Sequence, residues 1–327
     1  MKKILDELIE NKALSKQSAK QTLIEISEGK YNNSQIAAFL TTFMMRTIKV
    51  RELEGFREAL LELCLPVDFD GIPTIDMCGT GGDGKNTFNI STLSSFVVAG
   101  AGIKVAKHGN YGVSSSCGSS NVMEFLGYKF TNHQSLLNKQ LQDSGITFLH
   151  APLFHPAMKT VAPVRKELGM KTFFNMLGPL VNPSKPSMQV TGVYNLELMR
   201  LYNYLLQKTD TKYMVLYALD GYDEISLTSE FKAVTREEET IYNPSDLRFK
   251  IQNQSDIYGG ETVAESAKIF TNILNGKGTD QQNNVIVANS GMAIYLAKGG
   301  SIEDAMAEAK ESLDSGKAKN VFTKLIA

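Results

Sequence analysis

The chain has 327 residues, 43% of them hydrophobic, and its 34 basic and 35 acidic residues give a formal net charge of −1 at pH 7. This length allows a large core, and we expect two domains. Because the charges are balanced, the chain has no excess of basic residues to bind a polyanion, which disfavours nucleic acid as a partner. The three cysteines form no CxxC pair, which predicts reduced thiols, a cytoplasmic location and no cysteine zinc site. No apolar run approaches the length of a membrane span and no signal peptide is evident, so we expect a soluble protein.

Residues 1–66 show helical periodicity and no strand-like run. Apolar residues such as Ile36, Phe39 and Phe43 recur at spacings of three and four, which is typical of amphipathic helices. Ser15 and Gly29 flank one periodic run as an N-terminal cap and a C-terminal stop. The sequence therefore predicts a small all-helical domain over residues 1–66.

From residue 70 onward, short apolar runs alternate with helical patterns, which predicts an α/β domain over residues 70–327. We expect a central, mostly parallel sheet flanked by helices. The predicted strands are 74–78, 103–106, 147–150, 189–193, 213–218 and 285–287, and the helical segments include 195–207 and 263–274. In such a sheet, ligands bind at the carboxyl ends of the strands.

The stretch GTGGDGKNTFNIST at residues 79–92 has the glycine spacing of both a dinucleotide-binding loop and most of a P-loop. A dinucleotide site needs an acidic residue after the next strand, where this chain has Lys107. A P-loop needs Ser or Thr directly after its lysine, where this chain has Asn86. The capping residues also place the next helix start later, near Asn89.

What remains is the physical feature that both patterns share, a glycine loop and a helix start that can hold phosphate. Asp83 within the loop would repel a bare phosphate, so it suggests a bridging divalent cation with Ser91 as a co-ligand. The alternative is an ordinary glycine turn with a surface aspartate.

Two further polar segments follow predicted strands. The loop KHGNYGVSSSCGSSN at residues 107–121 offers a lysine and hydroxyl groups for a second phosphate, although such a segment can also be a plain connection. The adjacent carboxylates of Asp223 and Glu224 repel each other unless a cation lies between them, and their alternative is a solvated turn. Together the loops indicate a ligand with two separated phosphates.

These segments, together with VAPVR at 161–165 and LGPLVNP at 177–183, resemble in order and spacing the anthranilate phosphoribosyltransferases. The resemblance covers essentially the whole chain. It implies a helical domain that forms a homodimer, with a helix near 163–176 as a candidate addition to it, and a larger α/β domain that binds the substrates. It also implies transfer of the phosphoribosyl group of 5-phosphoribosyl 1-pyrophosphate (PRPP) to the amine of anthranilate in tryptophan biosynthesis, with Mg²⁺, two ions per subunit, neutralising the leaving pyrophosphate.

The resemblance also implies the site residues, and it assigns no general base. The PRPP site would consist of Gly79, Gly82, Asp83, Thr87, Asn89, Ile90, Ser91, Thr92, Lys107, His108, Gly109, Asn110, Tyr111, Gly112, Val113, Ser114, Ser115 and Ser119. The magnesium ligands would be Ser91, Asp223 and Glu224. Anthranilate would meet Gly79, Asn110 and Arg165, because a guanidinium can pair with a carboxylate through two hydrogen bonds.

The chain departs from the family pattern at two places. Tyr111 and Gly112 follow KHGN where an arginine is usual, and Asn121 stands where an aspartate is usual. One positive and one negative charge are absent together, which suggests a compensated change in how the loop is anchored.

Two alternatives remain open. A pyrimidine nucleoside phosphorylase of similar architecture would carry a Lys-x-Ser-Gly-Arg type of loop, which this chain lacks. A nucleic-acid-binding relative would have lost the substrate loops and would show a basic excess.

Overall fold

The computed structural model describes residues 1–112 and 117–327, which form fifteen α-helices and seven strands. In chain order the helices are α1 (Lys2–Ile9), α2 (Lys16–Ser27), α3 (Asn33–Met44), α4 (Val50–Leu63), α5 (Ile90–Gly100), α6 (Ser119–Phe125), α7 (Gln134–Asp143), α8 (Ala151–Phe154), α9 (Met158–Leu168), α10 (Phe174–Leu177), α11 (Leu196–Leu206), α12 (Val263–Leu274), α13 (Asp280–Lys298), α14 (Ile302–Asp314) and α15 (Lys317–Ile326). The strands are β1 (Ile75–Gly79), β2 (Val105–Gly109), β3 (Ile146–His150), β4 (Met188–Gly192), β5 (Lys212–Ala218), β6 (Phe231–Val234) and β7 (Glu239–Tyr242). Within these described ranges, no helix is long and apolar enough to cross a membrane.

The chain divides into two compact units. The helical unit consists of Met1–Val67 and Ala151–Lys185, and the α/β unit consists of Asp68–His150 and Pro186–Ala327. This agrees with the predicted fold class, a small helical domain and a larger α/β domain.

The helical unit is built on α1–α4, and its core is aromatic. The hydroxyl of Ser15 accepts a hydrogen bond from the Ser18 amide at 3.0 Å, and Gly29 follows α2 with φ +75°, as the cap and stop signals predict. Phe39 and Phe56 are both fully buried, with ring centroids 6.0 Å apart in an edge-on arrangement. These contacts explain why the apolar spacing in the first 66 residues produces a bundle.

The segment 151–185 also belongs to the helical unit, whereas the sequence suggested only a joining helix near 163–176 within a second domain running from 70 to 327. Phe173 stacks on Phe56 with centroids 4.3 Å apart, and the Arg57 Nε donates to the Leu180 carbonyl at 2.9 Å. Burial of Phe173 in the aromatic core is therefore what returns this segment to the helical unit. Periodicity along one chain does not reveal such a partner.

The α/β unit has a single seven-stranded sheet in the order β3-β2-β1-β4-β5-β6-β7. The strands β1 to β5 are mutually parallel, whereas β6 and β7 pair antiparallel at one edge. The prediction of a mostly parallel sheet flanked by helices is confirmed. The strands predicted at 74–78, 103–106, 147–150, 189–193 and 213–218 overlap β1 to β5 and shift by at most a few residues.

The strand predicted at 285–287 is wrong, because these residues lie inside α13. Val285, Ile286 and Val287 are all buried, and the helix buries residues on every face against its neighbours. A helix buried all round has a continuous apolar run that resembles a buried strand. The hairpin of β6 and β7 was not predicted, since β7 is half-exposed and rich in polar residues.

Candidate active site

The site lies at the carboxyl ends of the parallel strands of the α/β unit. From β1 the chain moves to β2 and β3 on one side, and it later adds β4 and β5 on the other side of β1. The strand order therefore reverses between β1 and β4. The carboxyl ends of these two strands form the switch point of the sheet, where ligands of open α/β folds bind. Three polar connections meet this edge, because they follow β1, β2 and β5.

The connection after β1 is the glycine loop, and α5 begins at Ile90 with Asn89 as its N-cap residue. The delayed helix start predicted from the sequence is thus confirmed. Gly81, Gly82 and Gly84 have positive φ values of 64°, 79° and 72°, so the loop uses the backbone freedom of glycine.

Asn86, whose identity argued against a P-loop, has a structural task. Its Nδ2 donates to the Gly260 carbonyl at 2.8 Å, and its own carbonyl accepts from the Gly259 amide at 2.8 Å. Thr87 forms an isolated antiparallel bridge with Tyr258. The C-terminal part of the glycine loop, residues 86–87, is therefore hydrogen-bonded to residues 258–260, which precede α12.

Asp223 lies directly over two glycines that face each other across β1 and β4. Gly79 and Gly192 are register partners in this pair of strands. A Cβ atom on Gly79 would lie 2.4 Å from Asp223 Oδ2, and a Cβ on Gly192 would lie 1.5 Å from the Asp223 carbonyl oxygen. The Gly81 amide also donates to Asp223 Oδ2 at 2.6 Å. Glycine at Gly79 makes room for the Asp223 carboxylate, and glycine at Gly192 makes room for the Asp223 backbone.

Glu224 is tied to the start of α5, because the Ser91 amide donates to its Oε1 at 3.2 Å. Burial raises the pKa of Asp223 well above its usual value, and the negative charges of Asp83 and Glu224 add to that rise. Burial also raises the pKa of Glu224, while the ammonium of Lys107 opposes the rise. The three acids predicted from the sequence therefore meet at one place.

This donor set fits a magnesium ion that is shared with a phosphate ligand. The buried carboxylate of Asp223 and the partly buried one of Glu224 both have raised pKa values and gain from a divalent cation. The side chain of Ser91 adds a hydroxyl group beside Glu224. Across residues 1–112 and 117–327, no group of three or more His, Cys, Asp or Glu side chains could hold a metal. Magnesium takes few protein oxygens and completes its shell with phosphate oxygens and water, so a smaller acidic set is sufficient.

The connection after β2 carries the second predicted phosphate loop, of which Val113, Ser114 and Ser115 lie outside the described residues. Lys107 is buried, and its ammonium donates to the Met77 carbonyl of β1. Its ammonium is therefore held against the sheet, and its role toward a phosphate stays a prediction.

Asn121 joins the two described ends of this loop. Its Oδ1 accepts from the Gly112 amide at 2.9 Å and from the Gly118 amide at 3.0 Å. A Cβ on Gly118 would lie 2.2 Å from the Gly112 nitrogen, so glycine is needed for this close approach. Ser119 Oγ donates to the Asn110 carbonyl at 3.3 Å, which brings two predicted site residues together.

Tyr111 stands where the family usually has an arginine, and its contacts show how the loop is held without that positive charge. Its ring meets the His150 ring edge-on with centroids 4.8 Å apart, and its hydroxyl donates to the carboxylate of Glu124 at 3.3 Å. His150 Nδ1 in turn lies 2.8 Å from Ser120 Oγ. The loop is anchored by neutral side chains together with one exposed carboxylate, and Asn121 makes amide contacts that need no negative charge.

Arg165 lies on α9 in the helical unit, whereas every other predicted and described site residue lies in the α/β unit. Its Nη2 donates to Asn175 Oδ1 at 3.3 Å, and its guanidinium carbon lies 5.3 Å from the centroid of the Phe174 ring. Burial lowers the pKa of Arg165 from its usual value, as for a partly desolvated cation. Its role toward anthranilate stays a prediction.

Sequence reasoning missed two residues that contact the segment of the acidic pair, Gly192 beside Asp223 and Asn289 beside Ile225. Gly192 ends β4, and the only signal in the sequence was a glycine at the end of a predicted strand. Asn289 lies on α13 and forms hydrogen bonds with the backbone of Ile225 at 2.9 and 3.0 Å. A polar residue in an apolar stretch was its only signal.

Comparison with known proteins first defines the class. Residues 2–64 match the helical bundle domain of a glycosyl transferase family, and residues 71–319 match the a/b domain of a glycosyl transferase family. The two matched stretches together define the class of the chain as a glycosyl transferase with a helical bundle domain and an a/b domain.

Individual relatives narrow the class. The chain is 60% identical to the anthranilate phosphoribosyltransferase of Flavobacterium psychrophilum over 99% of this chain and 98% of the relative. It is 52% identical to that of Bacteroides thetaiotaomicron over 100% of this chain and 98% of the relative. The chain belongs to the anthranilate phosphoribosyltransferase family.

Solved structures agree with this assignment. The anthranilate phosphoribosyltransferase of Thermus thermophilus superposes with a TM-score of 0.91 at 30% identity, covering 98% of both chains. That of Saccharomyces cerevisiae in complex with PRPP and Mg superposes with a TM-score of 0.91 at 27% identity, covering 98% of this chain and 95% of the other.

Proposed function

We propose that this chain transfers the phosphoribosyl group of PRPP to the amine of anthranilate, giving N-(5-phosphoribosyl)anthranilate and pyrophosphate in tryptophan biosynthesis. The amine nitrogen forms a bond to the anomeric carbon of the ribose while the bond from that carbon to pyrophosphate breaks. The electron pair of the broken bond leaves with pyrophosphate, and the amine releases one proton. The named relatives, which match along the full chain, support this reaction.

One observation carries the proposal in the structure. The two adjacent carboxylates accept hydrogen bonds from both ends of the glycine loop, Asp223 from the Gly81 amide at 2.6 Å and Glu224 from the Ser91 amide at 3.2 Å. A phosphate-type loop and an acidic pair are therefore parts of one site. Such a site suits a ligand that brings phosphate and a divalent cation together.

The residues of this site bind and orient the diphosphate. The start of α5 offers amides and a favourable dipole to phosphate oxygens, and the glycines let the backbone approach them. Asp223, Glu224 and Ser91 would hold magnesium, which when bound supplies positive charge to the departing pyrophosphate. We propose two such ions per subunit, with the yeast complex with PRPP and Mg supporting use of this metal.

Anthranilate is proposed to meet Gly79, Asn110 and Arg165. A partly buried guanidinium gains most from an anionic partner, and the carboxylate of anthranilate can accept two parallel hydrogen bonds from it. The aromatic amine is uncharged at neutral pH, so no general base is needed to free its lone pair. Positioning beside the anomeric carbon therefore supplies much of the acceleration.

We further propose a cytoplasmic homodimer that associates through the helical unit. The three thiols, Cys64, Cys78 and Cys117, are free, as in a reducing compartment. Met45 and Met170 of the helical unit are 83% and 62% exposed, and large apolar side chains of this kind favour burial against a second copy. Light scattering of the purified protein gives the mass that tests this state.

The function is tested by comparing two reactions with the same purified protein. We expect one pyrophosphate released per anthranilate consumed when PRPP and Mg²⁺ are supplied. We expect no cleavage of thymidine or uridine by inorganic phosphate, which is the reaction of the nucleoside phosphorylase alternative. Phosphorolysis of nucleosides without transfer to anthranilate would reverse the assignment.

The site residues are tested by separate kinetic parameters. Arg165→Ala is expected to raise the KM for anthranilate and to leave the KM for PRPP nearly unchanged, because only the carboxylate loses its partner. Asp83→Ala and Glu224→Ala are expected to impair the use of PRPP and Mg²⁺. Unchanged use of anthranilate by Arg165→Ala would remove that residue from the site.

A further inference from the structure

A single buried amide side chain holds the backbone that follows the carboxylate pair. Asn289 lies on α13, and only 2% of its surface is exposed. Its Oδ1 accepts from the Ile225 amide at 3.0 Å, and its Nδ2 donates to the Ile225 carbonyl at 2.9 Å and to the Val285 carbonyl at 2.8 Å. One side chain therefore satisfies both backbone polar groups of the residue directly after Glu224.

This contact completes a two-sided restraint on Glu224. On one side, Asp223 is held against Gly79 and Gly192 at the strand ends. On the other side, Ile225 is fully buried and its backbone is held by Asn289 from α13. The connection between β5 and β6 forms no helix or strand at these residues, so no ladder of backbone hydrogen bonds fixes the chain there.

The chemistry of the contact requires a primary amide. An asparagine side chain offers a donor and an acceptor in one plane, which matches the amide and carbonyl of a single residue. An alanine would leave two buried backbone groups of Ile225 unpaired, and each such group costs about 1–3 kcal/mol. The chain would shift to find other partners, and Glu224 would move with it.

We propose that Asn289 is a positioning residue of the site: its side chain fixes the backbone of Ile225 and thereby sets Glu224 to bind the divalent cation that accompanies PRPP. The inference rests on the proposed function for the identity of the ligand. Removal of a residue that orients a metal ligand weakens metal binding by about 10–100-fold. We expect an effect of this size on cation-dependent binding of PRPP.

The test is a calorimetric titration of PRPP into the protein, once in excess Mn²⁺ and once without divalent cation. Asn289→Ala should weaken PRPP binding about 10–100-fold in Mn²⁺ and change it by less than about twofold without cation. Ser290→Ala is the matched control, because Ser290 is the next residue on the same helix, is fully buried and is remote from Ile225 in its contacts. It should bind like the wild type in both titrations.

The two titrations separate positioning from general damage. Equal weakening of PRPP binding with and without Mn²⁺ would overturn the inference, because it would show damage to the whole phosphate site. Binding by folded Asn289→Ala at the wild-type level in Mn²⁺ would also overturn it. If the alanine variant does not fold, Asn289→Ser, which keeps one hydrogen-bonding oxygen, is titrated instead, and wild-type binding in Mn²⁺ overturns the inference.

The outcome is independent of the transfer reaction. A wild type that binds PRPP with Mn²⁺ but does not consume anthranilate would contradict the proposed function, while the titrations would still decide the role of Asn289. Wild-type protein that binds PRPP equally well with and without Mn²⁺ would overturn both the proposed function and the proposed role of Asn289.

Discussion

A single methyl group at Gly192 is expected to displace Asp223 from the strand ends and to abolish most of the activity. A Cβ at this position would lie 1.5 Å from the Asp223 carbonyl oxygen, and real Cβ contacts are essentially never shorter than 3.0 Å. The obstacle is backbone, so no change of side-chain rotamer relieves it. The Asp223 carbonyl must therefore retreat by about 1.5 Å, and a misplacement of about 1 Å can cost about 10²-fold in rate.

We expect kcat/KM for PRPP to fall by about 100-fold or more in Gly192→Ala, measured by the loss of anthranilate fluorescence over a range of Mg²⁺ concentrations. Gly100→Ala is the matched control, because its Cβ would lie 2.3 Å from Ser312 Oγ in the same α/β unit, away from Asp223. Both variants should be less stable, but only Gly192→Ala should lose activity in its folded form. Near-wild-type activity of folded Gly192→Ala, or equal losses in both, would refute the reasoning.

Three further predictions concern stability and the second loop. Glu52 is fully buried and accepts two hydrogen bonds from Arg46, so Glu52→Ala should lower the free energy of unfolding by about 3–5 kcal/mol. Glu58→Ala breaks a half-exposed ion pair with Lys16 and should lower the free energy of unfolding by at most about 1 kcal/mol. Equal losses in urea unfolding would contradict this. Burial lowers the pKa of His155 from 6.5 to about 4, so the folded state binds fewer protons than the unfolded state in this pH range. The free energy of unfolding should therefore fall by up to about 3 kcal/mol as the pH falls from 6.5 to 4. His155→Gln should remove this part of the pH dependence, and the same change at the exposed His133 should leave it. Asn121→Ala removes two hydrogen bonds of about 1 kcal/mol each from the second loop. The KM for PRPP should therefore rise by about 30-fold, with the KM for anthranilate unchanged.

Local chemistry made much of the fold predictable from the sequence. The glycine loop, the cap at Asn89 and the polar residues after β1, β2 and β5 are short-range signals, and the structure places them at one edge of the sheet. The overlap of five predicted strands with β1 to β5 has the same origin, because each strand is a short apolar run that ends in a polar loop.

The features that could not be predicted have a different cause, since they depend on partners far along the chain. The run at 285–287 is a strand-like pattern only until the surrounding elements that bury α13 on all faces are known. The return of 151–185 to the helical unit depends on Phe173 meeting Phe56. The position of Asp223 depends on the register of β1 and β4, which pairs Gly79 with Gly192. Periodicity in a single sequence carries none of these pairings.

The most direct test of the central claim is the fluorescence of anthranilate mixed with the purified chain. We predict that the fluorescence decays only when PRPP and Mg²⁺ are both present, and that a chelator added during the reaction stops the decay. Folded protein that leaves the fluorescence unchanged with both present, or that consumes anthranilate without PRPP, would contradict the account.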